Sequence, residues 1–563
     1  MPAMSPSAIC DLVDGAQLMG HTRALANWIK LSGTTQESES LGYVQARMAE
    51  YGYHTKIIRH DAFISLPGAA SVELDREILK AITHSFSRAS PVGGQDGRLV
   101  DVDAGAEADL AGRNLRGCIL LVQGIATPGV ALRASRAGAA GQLQVSPHEH
   151  LHEMCISPVW GSPTQEAHAS LPTAVVCSIA QADGAKLRAR LRAGEALNAR
   201  LHAAVDTGWR QTPILQAELD APNSGPDAPF VLFSGHHDTW YHGVMDNGTA
   251  NATMMELARI CATRRSEWRR GLRLCFWSGH SHGRFSGSSW YVDQHWAELD
   301  RRCVAHVNVD SPGAAGAERL ENTGAMTALA PLAQVALHDQ AGQVHAGGRM
   351  PRGADMSFSG VGVPAVFGDL SEPPASPVAP HSWWWHTQHD LLDKIDERLL
   401  TRDARVVMHG LWRLLSEAVL PLDYAAYAGA LLAELRRLEA ALQGRFALTE
   451  PIAATTTLCR LAASVMQPGT GNVASINRGL MRVSRALVPI EYTEGDRFTH
   501  DPALPQPAWP VLQSLRALAG AEPGSDMARL LAVQAQRSRN RLLHALHQAN
   551  AELSAVVAVA GRS

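Results

Sequence analysis

The stretch Phe230-Val-Leu-Phe-Ser-Gly-His-His-Asp-Thr-Trp-Tyr-His-Gly-Val-Met-Asp246 decides the reading of this chain. Phe230 to Phe233 is a short apolar run of the kind that forms a buried strand of a parallel sheet. It ends at Ser234-Gly235, and His236, His237 and Asp238 follow at once. Asp246 comes ten residues after His236, ahead of a helical pattern over Thr249 to Arg264. In open α/β sheets ligands gather beyond the carboxyl ends of the strands, where these side chains are delivered. Imidazole and carboxylate donors so placed read as the first half of a metal site, with Asp238 between them.

Four later positions extend the pattern. The run Phe276-Trp-Ser-Gly leads into a His280-Ser281-His282 turn, and Asp310 closes the apolar run Val304 to Val309. Asp355 precedes the run that starts at Gly362, and His386 precedes a helical pattern expected over Leu391 to Leu400. A lone histidine is usually a structural residue, but acids and imidazoles at successive strand ends converge on one edge of one sheet.

Around this region, residues 210–420 alternate strands and helices, which predicts an α/β fold with a mostly parallel mixed sheet covered by helices. Residues 8–60 read as helices followed by a strand. From 70 to 209 the strands are short and glycine and alanine frequent, which predicts an inserted β-rich domain. Its His148-Glu-His-Leu-His152 segment is expected to be a polar surface loop, the alternative being a loop over the active site. Beyond Pro421 the chain is rich in Ala, Leu and Arg and predicts a C-terminal helical domain, with helices at Tyr424–Leu442, Leu458–Met466 and Met527–Val556. The expected layout is therefore 1–69 with 210–420 as the catalytic domain, 70–209 as an insertion, and 421–563 as a helical domain that packs internally or across a dimer.

Composition narrows the class. A chain of 563 residues at 46% hydrophobic supports several domains with a large core. Fifty Lys and Arg against 54 Asp and Glu give no reason to expect a nucleic-acid or membrane-surface partner. The N-terminus shows no signal-peptide pattern, and no apolar stretch approaches the roughly 20 residues of a membrane span. Eight cysteines without CxxC pairs read as reduced core residues of a cytoplasmic protein.

With these residues in view, the chain resembles the co-catalytic dizinc exopeptidases, the family of bacterial aminopeptidases, glutamate carboxypeptidase II and the transferrin receptor. The match is specific over about 210–420. More loosely, the insertion resembles a protease-associated domain, and the three-part layout is that of glutamate carboxypeptidase. The resemblance implies that one metal takes His236, Asp246 and Asp310, and that a second shares Asp246 and uses His386. It makes Asp238 the acid that orients His236, and places Asp355 behind the site. The run His386-Thr387-Gln-His-Asp390 fits the family's His-Thr-x-x-Asp pattern.

One departure bears on mechanism. Where the family has a Glu-Glu pair, general base then metal ligand, this chain has no carboxylate. Anchored on Gly287-Ser288, the pair becomes Ser281-His282; anchored on Phe276-Trp277-Ser278, it becomes His280-Ser281. Imidazole is a common donor to zinc, so His282 is the expected replacement ligand and His280 the expected base. Arg284 presents a donor fork suited to a carboxylate or an oxyanion. Of three consecutive tryptophans, Trp383 to Trp385, at least one is expected at a pocket mouth or an interface.

The expected protein is a binuclear metal-dependent hydrolase that cleaves an amide or peptide bond in a small substrate with a metal-activated water. Zinc is the expected metal, with iron or manganese as alternatives, and a homodimer the expected assembly. Two other readings stand beside it: a catalytically inactive receptor-like or scaffold protein that retains the fold, and a hydrolase of a non-peptide C–N bond.

Overall fold

The computed structural model describes residues 4–75, 77–370, 382–467 and 472–560. Its strands, in chain order, are β1 (His54–Leu74), β2 (Glu77–Thr83), β3 (Gln95–Asp101), β4 (Ile119–Gln123), β5 (Gly141–Val145), β6 (Val175–Ile179), β7 (Asn198–Leu219), β8 (Phe230–His236), β9 (Gly271–Trp277), β10 (Cys303–Asp310), β11 (Gly324–Ala325) and β12 (Ala365–Asp369). They join in one sheet, ordered β1-β2-β6-β5-β4-β3-β7-β9-β8-β10-β12-β11.

The functional end of this sheet follows from the apolar runs. β8 lies parallel to both β9 and β10, and β10 lies parallel to β12. A strand flanked on both edges and covered on both faces has no solvent side, so all seven residues of β8 are buried. Parallel pairing also brings strand ends together: His236 pairs with Trp277, and Ser234 with Asn308. The turns after β8, β9 and β10 therefore open on one edge.

β1 and β7 pair antiparallel from His54 with Glu218 to Leu74 with Ala199, with an irregularity between Pro67 and Ala70. The expected edges of the insertion, near residues 70 and 209, thus fall inside two continuous strands. This ribbon carries the chain out to a second hydrophobic core, built from residues such as Leu121, Leu143, Val175 and Leu201, and back again. The C-terminal helices have no separate core: Tyr427, Leu458, Leu487 and Leu546 belong to the cluster that also holds Val231, Phe233 and Leu274 of the sheet. The long helix Asp526–Ala560 packs internally, against the helices Thr449–Val465 and Val473–Tyr492.

The helix expected over 391–400 begins later, at Glu397. Asp396 sets that start, because its carboxylate accepts the N–H groups of Arg398 and Leu399 at 2.9 and 3.1 Å. The eight cysteines are all free, and seven are buried. No helix among the described residues is long and apolar enough to cross a membrane.

Candidate metal centre

His236 ends β8, and its Nδ1 donates to the main-chain oxygen of Asp238 at 2.8 Å. That bond fixes the tautomer and turns Nε2 toward Asp246 Oδ1 at 3.0 Å and Asp310 Oδ2 at 3.6 Å. The other oxygen of Asp246 lies 2.9 Å from His386 Nε2. His386 in turn donates from Nδ1 to the carbonyl of Glu153 at 2.8 Å. Asp246 therefore stands between two imidazoles, offering one oxygen to each. Asp390 holds its backbone, accepting the N–H groups of Met245 and Asp246 at 2.8 and 3.0 Å.

Charges at this point are tightly coupled. Burial disfavours an ionised Asp246, but the imidazoles of His236 and His386 beside it hold its carboxyl well below the usual range. Burial also opposes a charged His236, yet Asp310 and Asp246 raise it well above the ordinary imidazole value. Burial pushes Asp390 up to about 7, despite its two N–H donors and the charge of the buried Lys30.

The donor set fits a divalent metal. His236 Nε2 and Asp246 Oδ1 are buried, and although close, neither forms an aligned hydrogen bond. Two such atoms left unsatisfied are costly unless a cation joins them, and Asp310 adds a third, oxygen donor. Imidazole with carboxylate oxygens is a zinc-type set. The side chains of Asp310, His280 and His386 keep 13%, 16% and 11% exposure, so the centre opens to solvent.

The turn after β9 behaves differently from its sequence expectation in two respects. The Asp238 carboxylate does not orient His236, whose ring nitrogen it approaches only to 4.0 Å. It caps the turn instead, accepting the N–H groups of His280 and Ser281 at 3.1 and 2.8 Å and the hydroxyl of Ser32 at 2.7 Å. Burial opposes its charge, but the imidazoles of His282, His236 and His280 hold it below the ordinary carboxylate range. The second respect concerns His282. His236, His280 and Asp310 bring ligand atoms within 4.8 Å of one another, and His282 is not in that group. Its Nδ1 lies 3.1 Å from Ser32 Oγ, its ring packs 4.4 Å from Trp240, and its buried Nε2 has no partner. The Ser281 hydroxyl is also buried and unpartnered.

His280 is held on two sides. Its ring lies flat on that of His236, centroids 3.7 Å apart and planes 10° from parallel. Its Nδ1 is 2.8 Å from Asp355 Oδ2, and Asp355 is itself fixed by the Ser288 hydroxyl at 2.7 Å. Nε2 is left as the free nitrogen. Arg284 follows at positive φ, its guanidinium 3.4 Å from the Ala503 carbonyl and 4.9 Å from the Phe285 ring centroid.

The His148–His152 segment is not an isolated surface loop. His152 Nδ1 donates to the Trp385 carbonyl at 2.6 Å, His150 stacks on Trp383, and the Glu153 N–H donates to His386 O at 3.0 Å. The three tryptophans separate accordingly. Trp383 is 39% exposed, Trp384 is buried with Met245 and Ala314, and Trp385 stacks on His386 at 3.5 Å. Ser32, Glu153 and Trp240 also shape this site. In the sequence they stand outside the strand-end pattern, so the pattern gives no sign of them.

Residues 216–411 match the family model described as Peptidase family M28. The match to a probable glutamate carboxypeptidase of Zea mays is 24% identical and covers 76% of this chain and 70% of that protein. An aminopeptidase of Mus musculus matches at 29% identity over 85 residues, 11% of its length. Among solved structures, an M28 peptidase precursor from Shewanella amazonensis aligns at TM-score 0.59 and 19% identity, covering 74% of this chain and 98% of that one. An aminopeptidase from Aneurinibacillus aligns at TM-score 0.57 and 21% identity, covering 73% and 96%. These likenesses establish the fold of the M28 segment and its surroundings. The donors described above all lie within that segment, apart from the Glu153 carbonyl and Ser32, which reach in from outside it.

Proposed function

We propose that this protein is a zinc-dependent hydrolase of peptide bonds in small substrates. The observation that carries the reading is Asp246, buried, with one oxygen facing His236 Nε2 and the other facing His386 Nε2. The match of residues 216–411 to the M28 family model supports it, as do the names of its relatives, a glutamate carboxypeptidase and aminopeptidases.

His236, Asp246 and Asp310 would hold one ion, and Asp246 with His386 would face a second position. A divalent ion bound there polarises the scissile carbonyl and makes a water acidic enough to attack at neutral pH. The chain's own part is proton handling and positioning. With Nδ1 committed to Asp355, His280 keeps Nε2 free to take a proton from the attacking water and return it to the departing amine. Asp355 fixes the tautomer this needs. Asp238 fixes the turn that carries His280, and Trp385 stacks on His386 and limits its movement.

The test is hydrolysis of a dipeptide panel and of N-acyl amino acids by zinc-reconstituted protein, with Asp246→Asn run in parallel. Release of free amino acid by the wild type alone supports the reading. No turnover of any peptide or N-acyl compound by protein with full metal occupancy removes it.

A further inference from the structure

Four imidazoles gather beside the metal centre and outside its donor set: His148, His150 and His152 of the loop after β5, and His389. Ring centroids are 4.8 Å apart for His148 and His152, 5.4 Å for His148 and His150, and 5.5 Å for His150 and His389. His148 and His152 approach closest, with their Nε2 atoms 3.0 Å apart. The backbone that carries them is held at two points. The Gln181 N–H donates to the His148 carbonyl at 3.1 Å, and the Ser146 hydroxyl donates to the His150 carbonyl at 2.6 Å.

Both tautomers are set by the main chain. His152 Nδ1 donates to the Trp385 carbonyl at 2.6 Å, which leaves the lone pair on Nε2. His148 Nδ1 accepts the N–H of His150 at 3.1 Å, so its proton sits on Nε2 and is shared with His152. Burial lowers both from the ordinary imidazole value, His152 to about 3, and the His150 ring adds to this in each case. Neutral imidazoles offer lone pairs to a cation, where charged ones would repel it.

The spacing is that of two ligands on one ion. Nitrogens about 2.0–2.1 Å from zinc stand roughly 2.9–3.4 Å apart for angles from a right angle to the tetrahedral value. A metal-binding histidine gives its other ring N–H to a carbonyl or carboxylate, as His152 gives Nδ1–H to Trp385. An ion takes both Nε2 lone pairs once the His148 proton moves to Nδ1, at the cost of the bond from the His150 N–H. His150 is engaged elsewhere, its ring stacked on Trp383 at 4.3 Å and its Nε2 3.5 Å from Glu149 Oε1. Two protein donors leave the remaining positions to water. His148 is half-buried and His152 buried, so an ion enters from the His148 side.

We propose that His148 and His152 form an auxiliary zinc site, separate from the centre at Asp246 and independent of the hydrolase reading above. Two neutral donors lack the charge of the acids in that centre, so the auxiliary site is weaker and fills after it. An ion on Nε2 makes the Nδ1–H of His152 a stronger donor to the Trp385 carbonyl. The next residue is His386, which faces Asp246, so occupancy firms the contact between this loop and the centre.

The experiment is equilibrium dialysis of the full chain against zinc, carried past saturation of the tightest positions. Wild type should take up a further ion in a weaker class. His148→Asn removes the imidazole and keeps a side-chain oxygen for the N–H two residues on, a bond that asparagine makes readily. It should weaken that class by about ten-fold or more, since losing a ligand costs at least as much as losing the group behind one. Its tighter steps should match wild type, which also shows that it is folded. Asp246→Asn should do the reverse, weakening the tight steps and keeping the weak class. His150→Ala and His389→Ala should alter neither. A wild type without the weak class, or a weak class unchanged in His148→Asn, overturns the proposal. So does a weak class lost in Asp246→Asn, which would make it part of the catalytic centre, or one lost in His150→Ala or His389→Ala, which would place the ion on other rings.

Discussion

The imidazoles of His236 and His280 are stacked face to face, 3.7 Å between centroids and 10° between planes. An imidazole donates to a metal through a lone pair in the plane of its ring, at about 2.0–2.1 Å for zinc. Two near-parallel planes held apart by the thickness of a ring cannot both contain the same ion. An ion in the plane of His236 therefore lies well off the plane of His280, although their nitrogens are close. The stack suits the proposed division of tasks, ligand for His236 and proton carrier for His280.

His280→Ala should therefore retain metal and lose rate, by the roughly 10²–10⁴-fold that general acid–base catalysis supplies. Asp355→Asn should reproduce part of that loss, because an amide no longer fixes the same tautomer. Metal content by atomic emission, alongside kcat on one dipeptide, checks both. Metal lost from His280→Ala in proportion to activity would show that the ring is a ligand after all.

Asp246→Asn should weaken metal at both positions, since one carboxylate faces His236 and His386 together. His386→Ala should weaken only the position on its own side. Equilibrium dialysis against zinc separates them, the first variant losing both binding steps and the second losing one. Two variants with the same single loss would mean that Asp246 serves one ion only.

Much of this site was legible because it depends on strand ends. The apolar runs at 230, 272, 304 and 363 became β8, β9, β10 and β12, and His236, His280 and Asp310, at or just past the ends of the first three, reached the same edge. Contacts between distant segments left no such trace. Nothing in Glu153 signals that its carbonyl receives His386, 233 residues away. The His280-Ser281-His282 order leaves open which ring faces the metal. Ser32 and Asp238, not alternation along the chain, decide that His282 turns aside. The insertion's edges were placed by composition, whereas the ribbon of β1 and β7 runs straight through them because paired strands have no reason to stop where composition changes.

Stability should fall with rising pH through the titration of Glu491, which is buried at the end of the helix Val473–Tyr492. Burial raises its carboxyl from 4.5 to about 7, with the Thr327 hydroxyl and Arg349 opposing. Between those values the folded state holds more protons than the unfolded state, so stability declines from pH 4.5 to 7 and is level above. The decline belonging to this group is on the order of 3 kcal/mol. Glu491→Gln cannot ionise, so its denaturation free energy relative to wild type should improve between pH 5 and pH 7.5. Parallel pH profiles for the two proteins would refute the assignment.

The last expectation links the insertion to the metal centre. Two hydrogen bonds join Glu153 and His386, from His386 Nδ1 to the Glu153 carbonyl at 2.8 Å and from the Glu153 N–H to the His386 carbonyl at 3.0 Å. Beside them His152 donates to the Trp385 carbonyl, and the Tyr241 hydroxyl donates to the Glu153 carboxyl at 2.8 Å. An ion drawn to Asp246 and His386 favours the arrangement in which these bonds are closed, and by linkage it stabilises whatever holds His386 in place. Hydrogen exchange in peptides covering 148–154 should therefore slow when zinc is added, by up to about 100-fold at one hundred times the dissociation constant. Peptides from β4 and β5, in the separate core of the insertion, should not change. Glu153→Pro removes one of the two bonds, because proline has no N–H, and should erase most of the zinc effect at 148–154 while leaving β4 and β5 as before. Uniform protection across the insertion, or none at 148–154, would mean that this loop covers the centre without being coupled to it.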